Sequence, residues 1–190
     1  MPMINDDGRL YFKLPPYEHQ LRAHKLARDR DAYAFLCEMG TGKSAMLTSV
    51  MAYQRSRGRI NAAVIFAPNS VCQTWVEEQL PKLYPDLGEG LLVYKWSTSN
   101  SQKNIKEQSQ LLMFSRRLKV LVMNIEAMST KKGYTFAEKF VRSHHTLVAV
   151  DESTRIKSVN AKRTTNVIKV GNLAVSRYIL TGMPITQSPL

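Results

Sequence analysis

The stretch LCEMGTGKS, residues 36–44, decides the fold. It grows out of AYAFLC (32–37), a short apolar run of strand character, and leads into a segment with helical character over 43–57. Against the pattern G-x-x-x-x-G-K-[ST], residues 37–44 read C-E-M-G-T-G-K-S, with Cys37 in place of the first glycine. A strand, a glycine-bearing turn and a helix in that order make a loop whose N–H groups turn inward on a phosphate. The start of the helix adds partial positive charge. Lys43 is expected to reach the β- and γ-phosphates, and Ser44 to offer its hydroxyl to Mg²⁺. The bland alternative is a glycine-rich turn that only starts a helix.

A lysine on phosphate calls for a metal partner and a means of hydrolysis. LVAVDE (147–152) offers both: four apolar strand residues end in Asp151, placed to hold Mg²⁺ through water, and Glu152 follows, placed to orient and deprotonate an attacking water. A second acid poised for water favours hydrolysis over transfer to a small acceptor.

Other strand-like runs occur at 62–68, 91–96, 119–124 and 177–182, with helical patterns at 17–30, 70–80, 102–117, 134–144 and 160–170. Most of the strand runs are continuously apolar rather than alternating, which predicts strands buried on both faces. The expected fold is therefore α/β, a mostly parallel central sheet with helices on both faces. STSNSQKN (97–104) is polar and reads as a loop. Ligands in such folds gather at the carboxyl ends of the strands. The chemically notable segments 37–44, 67–70, 151–152 and 181–184 all follow a predicted strand.

The chain has 190 residues, enough for one domain with a real core. No apolar run approaches the ~20 residues needed to cross a membrane, and the N-terminus lacks the apolar centre of a secretory signal. Cys37 and Cys72 form no redox or metal pair and read as free thiols in a reducing compartment. Charge is lopsided. The net is +12; residues 1–90 carry 11 Lys/Arg against 10 Asp/Glu, whereas residues 91–190 carry 16 against 5. A basic half points to a polyanionic partner. Asn69, Ser70 and Asn124, at strand ends, are candidate phosphate contacts or simple helix caps, and Arg155 and Lys157 lie in a basic run that is either a nucleic-acid track or a solvated face. Trp75 and Trp96 read as core, and His144-His145 as neighbours that point apart rather than a metal site.

These motifs together resemble the first RecA-like motor domain of superfamily 2 helicases, and among them the Swi/Snf-type DNA translocases. LPPYEHQ (14–20) is similar to the family's adenine-recognition segment, EMGTGKS (38–44) to its phosphate loop, FAPNSVCQTWVEE (66–78) to a strand–Pro–helix followed by Trp and acids, and VLVMNIEAM (120–128) to a DNA-facing motif. DESTRIKS (151–158) and LTGMPITQS (180–188) resemble Asp-Glu-x-His-Arg-Ile-Lys-Asn and Leu-Thr-Gly-Thr-Pro-Ile-Gln-Asn. The resemblance spans nearly the whole chain. It implies a RecA-like P-loop domain over 1–190 that binds MgATP through Tyr17, Gln20 and residues 39–44 (Met39, Gly40, Thr41, Gly42, Lys43, Ser44). Gln20 reads the adenine edge with Tyr17 packed nearby. Thr154, Thr181 and Gly182 would couple nucleotide to the motor; Thr154 stands where the family has His.

The resemblance also implies a second RecA-like domain carrying arginine fingers. This chain, ending at Leu190, is accordingly expected to be a truncated motor or a fragment, nearly inactive alone. The expected partner is double-stranded DNA and the expected location cytoplasmic, or nuclear in a eukaryote. An RNA helicase domain and a P-loop kinase or phosphotransferase are the competing readings.

Overall fold

The computed structural model describes residues 8–88, 90–152 and 161–182. Six strands form one sheet: β1 (Ala32–Leu36), β2 (Ala62–Ala67), β3 (Leu91–Lys95), β4 (Leu118–Asn124), β5 (Thr146–Asp151) and β6 (Ser176–Thr181). All pairings are parallel, in the order β1-β6-β5-β2-β4-β3. α1 (Glu18–Ala27) precedes the first strand; parallel neighbours need crossovers, and the later helices supply them: α2 (Lys43–Ser56), α3 (Asn69–Thr74), α4 (Leu80–Leu83), α5 (Gln102–Leu112), α6 (Lys131–Arg142) and α7 (Lys162–Gly171). α3 and α4 are one helical run joined through a π-turn at Trp75–Gln79, and a 3₁₀ turn at Ile125–Ser129 precedes α6.

Strand side chains alternate between two cores, one on each face. In β2, Ala63, Ile65 and Ala67 join one cluster with Met46, Val50 and Trp75; Ala62, Val64 and Phe66 join the other with Phe140 and Val170. Every residue of β2 is buried, which accounts for its unbroken apolar run. Sequence expectation and structure part at the margins. β1 and β3 are the sheet's edges and are only partly covered, and β6 exposes Arg177 and Ile179 on one face. An apolar run is thus compatible with an edge strand.

α2 carries the glycine-rich loop at its start, so its packing sets how firmly that loop is held. Met46 to Gln54 are all buried, polar residues included. Those polar groups are paired: Ser49 Oγ donates to the Met46 carbonyl at 2.7 Å, and Gln54 Nε2 donates to Tyr178 Oη at 2.9 Å while its Oε1 accepts from Ser176 Oγ at 2.7 Å. A helix enclosed to this degree anchors the loop in one position. The polar stretch 97–101 is an irregular segment, as expected. It is stapled by the buried Asn104, whose amide donates to the Ser97 and Ser99 carbonyls and whose oxygen accepts from Tyr94.

No helix among the described residues is long and apolar enough to cross a membrane. Cys72 is buried and its thiol is pushed up to about 11 by burial, so it stays protonated and inert.

Candidate functional site

Because every strand runs the same way, the segments after them meet at one sheet edge. β6 lies between β1 and β5, with Leu36 in register with Thr181 and Asp151 with Leu180. The phosphate loop, Thr181 and the acidic pair therefore end up adjacent.

The loop itself is built by two glycines. Gly40 and Gly42 have φ of 80° and 81°, the left-handed region that side chains disfavour. A Cβ on Gly42 would also lie 2.2 Å from Gln20 Nε2. Cys37 has no positive φ, so a side chain is tolerated where the pattern has its first glycine; its N–H donates to the Thr181 carbonyl at 3.3 Å. Lys43 Nζ donates to the Cys37 carbonyl at 2.9 Å and the Glu38 carbonyl at 2.8 Å, so its ammonium spans the mouth of the loop.

Across from it stands Asp151. Its Oδ2 accepts from Trp75 Nε1 at 2.8 Å and its Oδ1 from the Glu152 N–H at 2.9 Å. Burial pushes its carboxyl above the ordinary range; the two hydrogen bonds and Lys43 pull the other way, and Glu152 adds to the rise. Glu152 is exposed and has φ 49°, the one non-glycine in the left-handed region among the described residues. That backbone is strained, and such strain clusters at functional sites.

Lys43, Ser44 and Asp151 line a single cavity of about 510 Å³, together with Tyr17, Gln20, Gly40, Gly42 and Gln79. A hydroxyl and a carboxylate on either side of a lysine are oxygen donors suited to Mg²⁺, and the loop is shaped for a polyphosphate. The residues present therefore fit a magnesium–nucleotide. Phe12, Leu14 and Pro15 add an apolar wall to the same cavity. Tyr17, 72% exposed, stacks on His19 with ring centres 5.8 Å apart. Gln20 is tied up: its Oε1 accepts from the Tyr17 N–H at 3.0 Å and its Nε2 donates to the Thr41 carbonyl at 3.1 Å. It fastens α1 to the phosphate loop, a link the sequence pattern did not suggest.

Further along the edge, Asn69 and Ser70 are exposed at the start of α3, where Pro68 is the capping residue and no side chain caps. Asn124 does cap, accepting from the Ala127 N–H at 3.0 Å, and its Nδ2 donates to Asn69 Oδ1 at 3.2 Å. Simple capping thus accounts for Asn124 in part and for Asn69 and Ser70 not at all. Met39 and Gly182 approach each other: a Cβ on Gly182 would be 3.2 Å from Met39 Cγ. Thr154, Arg155 and Lys157 lie outside the described residues. Trp96 is core, its ring tilted by 33° against Phe136 with centres 4.9 Å apart. His144 uses both ring nitrogens, on Lys119 Nζ and the Phe140 carbonyl, and no His/Cys/Asp/Glu cluster suited to a metal occurs among the described residues.

Two residues of the site were not foreseen. Trp75 is core, as its sequence context suggests, but its indole N–H also holds Asp151 from 76 residues away. Gln79 lines the cavity from the π-turn.

Comparison with known proteins adds three findings. The family model described as the SNF2-related domain matches residues 19–189. Among solved structures, a Sulfolobus solfataricus SWI2/SNF2 ATPase core in complex with dsDNA aligns with a TM-score of 0.67 at 17% identity, over 95% of this chain and 34% of that one. The UvsW helicase of bacteriophage T4 aligns with a TM-score of 0.61 at 14% identity, over 90% of this chain and 53% of that one. The chain thus spans about a third of the first and about half of the second. No curated protein sequence matches it.

Proposed function

The chain belongs to the SNF2-related domain family, and from that premise we propose that it is the nucleotide-binding half of an ATP-driven translocase acting on duplex DNA. The observation that carries the reading is the shared cavity of Lys43, Ser44 and Asp151. Phosphate oxygens would replace the two neutral carbonyls that now hold the Lys43 ammonium, giving hydrogen bonds in which donor and acceptor are both charged. Gly40 and Gly42 leave the loop's N–H groups free to face the anion. Mg²⁺ held between Ser44 and Asp151 would neutralise charge on the phosphates. Glu152, exposed just past Asp151, is the group to take the proton of the attacking water. Its ordinary exposure suits that task, because the larger part of the barrier is lowered by charge stabilisation. Tyr17 and the apolar wall would take the base.

DNA as the track rests on three supports: the basic half of the chain, the exposed Asn69–Ser70 pair at a helix start beside Asn124, and the DNA held by the Sulfolobus relative. Contacts of this type read the backbone, so binding is expected to be indifferent to sequence. The test is ATP turnover by this chain with duplex DNA, with duplex RNA and with neither. The reading predicts slow turnover, raised by DNA and lost in Glu152→Gln. Stimulation by RNA alone would assign the track to RNA. Turnover indifferent to both, with phosphate passed to a small acceptor, would make it a phosphotransferase.

A further inference from the structure

The proposed nucleotide site leaves one of its own lining residues without a task. Gln79 sits at the end of the π-turn Trp75–Gln79, and its carboxamide oxygen is buried with no hydrogen-bond donor. It lines the same cavity as Ser44 and Asp151. Buried polar atoms nearly always find a partner, and those that do not call for a reason. π-turns are rare and recur at functional sites. Residues 75 and 79, four apart, share one side of the helical run, and both act on the cavity: Trp75 through its 2.8 Å bond to Asp151 Oδ2, Gln79 as wall. Leu83, one turn further, also lines it. The run from Asn69 to Leu83 therefore reaches from the proposed nucleic-acid face to the nucleotide cavity.

We infer that Gln79 is a magnesium-site residue, its carboxamide oxygen accepting a hydrogen bond from water on the nucleotide's Mg²⁺. The inference rests on the nucleotide reading of the cavity. Two features select this end of the ligand. Gln79 is one π-turn from the tryptophan that holds Asp151, and water on a divalent cation in the cavity they share is a strong donor seeking acceptors. The terminal torsion of glutamine is broad and two-fold, so presenting the oxygen to the cavity requires no rearrangement of the helix. Gln79 binds through solvent on the metal and takes no part in bond breaking, so it is a positioning residue.

Calorimetric titration of this chain with ATP, in Mg²⁺ and in EDTA, tests it. Gln79→Leu keeps the volume and removes the acceptor; it should weaken binding in Mg²⁺ about five-fold, the scale of one hydrogen bond, and leave binding in EDTA unchanged. Gln79→Glu restores an acceptor and should retain the Mg²⁺-dependent affinity. Because the oxygen has no partner among the described residues, Gln79→Leu should melt no lower than the parent. Equal weakening in Mg²⁺ and EDTA, or none in either, would overturn the assignment. Lys43→Ala in the same titrations separates the two claims: if it weakens ATP binding while Gln79→Leu does nothing, only the role of Gln79 falls; if it too does nothing, the nucleotide reading falls with it.

Discussion

Lys43 shows how little a motif says about the state of its own side chain. Its position was legible from GTGKS, but its partners, the Cys37 and Glu38 carbonyls, are set by the turn. With phosphate oxygens as acceptors both partners are charged, and such bonds are worth roughly 1.5–3 kcal/mol each, so Lys43→Ala should weaken ATP binding by at least about ten-fold. Asp151 is the reverse case. The strand-end acid was readable in LVAVDE, yet its donor, Trp75, lies 76 residues earlier, and no spacing announces a contact made by folding. Trp75→Phe keeps the ring in the core and removes the N–H, leaving a largely buried carboxylate one donor short. Its expected cost is about 1–3 kcal/mol of stability, read by denaturant unfolding. The pH behaviour comes from burial. The folded-state carboxyl of Asp151 protonates above the ordinary range, so ionised Asp151 costs stability at neutral pH, and that cost fades as pH falls through the raised value. Mg²⁺-dependent ATP affinity should be lost over that same fall, at a pH where exposed carboxylates are still ionised. In Trp75→Phe the loss should begin at higher pH still, because a hydrogen bond that favours the charged form is gone.

At the scale of elements, the order strand–loop–helix and the α/β alternation were readable because buried parallel strands are continuous apolar runs. All six strands fall where that pattern puts them, to within a residue or two. Helix ends were less legible. The pattern carried the helix after β3 to residue 117, whereas α5 stops at Leu112. It started the next helix at 134, whereas α6 begins at Lys131 behind a Thr130 cap that accepts from the Gly133 N–H at 3.0 Å. The π-turn could not be read at all, since one extra residue in a helical turn leaves the hydrophobic spacing of 69–83 nearly intact. Gly133 supplies an element-scale test. A Cβ there would lie 2.3 Å from the Ala127 carbonyl oxygen, where α6 presses on the 3₁₀ turn. Gly133→Ala must shift backbone. It should cost about 1–3 kcal/mol, visible as a fall of several degrees in Tm, with ATP affinity unchanged because the clash is remote from the cavity.

For the molecule as a whole, function depends on a single geometric consequence of all-parallel pairing: one edge collects every strand end. The cavity proposed for the nucleotide lies at the β1-β6-β5 part of that edge and Asn69 and Asn124 at the β2-β4 part. The net charge of +12, most of it carried by residues 91–190, makes binding to a polyanion electrostatic in character. If about four backbone phosphates are contacted, affinity for duplex DNA should fall roughly a hundred-fold between about 50 and 200 mM salt, equally for any sequence. A salt-insensitive affinity would mean that the charge asymmetry serves something else. Coupling of DNA to ATP has force only if the lysine and the acid act on one ligand. Equilibrium binding of ATP to the parent chain, Lys43→Ala and Asp151→Ala, each in Mg²⁺ and in EDTA, measures that directly. The account predicts that Lys43→Ala weakens binding in both conditions and that Asp151→Ala weakens it in Mg²⁺ alone; an Asp151→Ala chain that binds ATP in Mg²⁺ as tightly as the parent would contradict it.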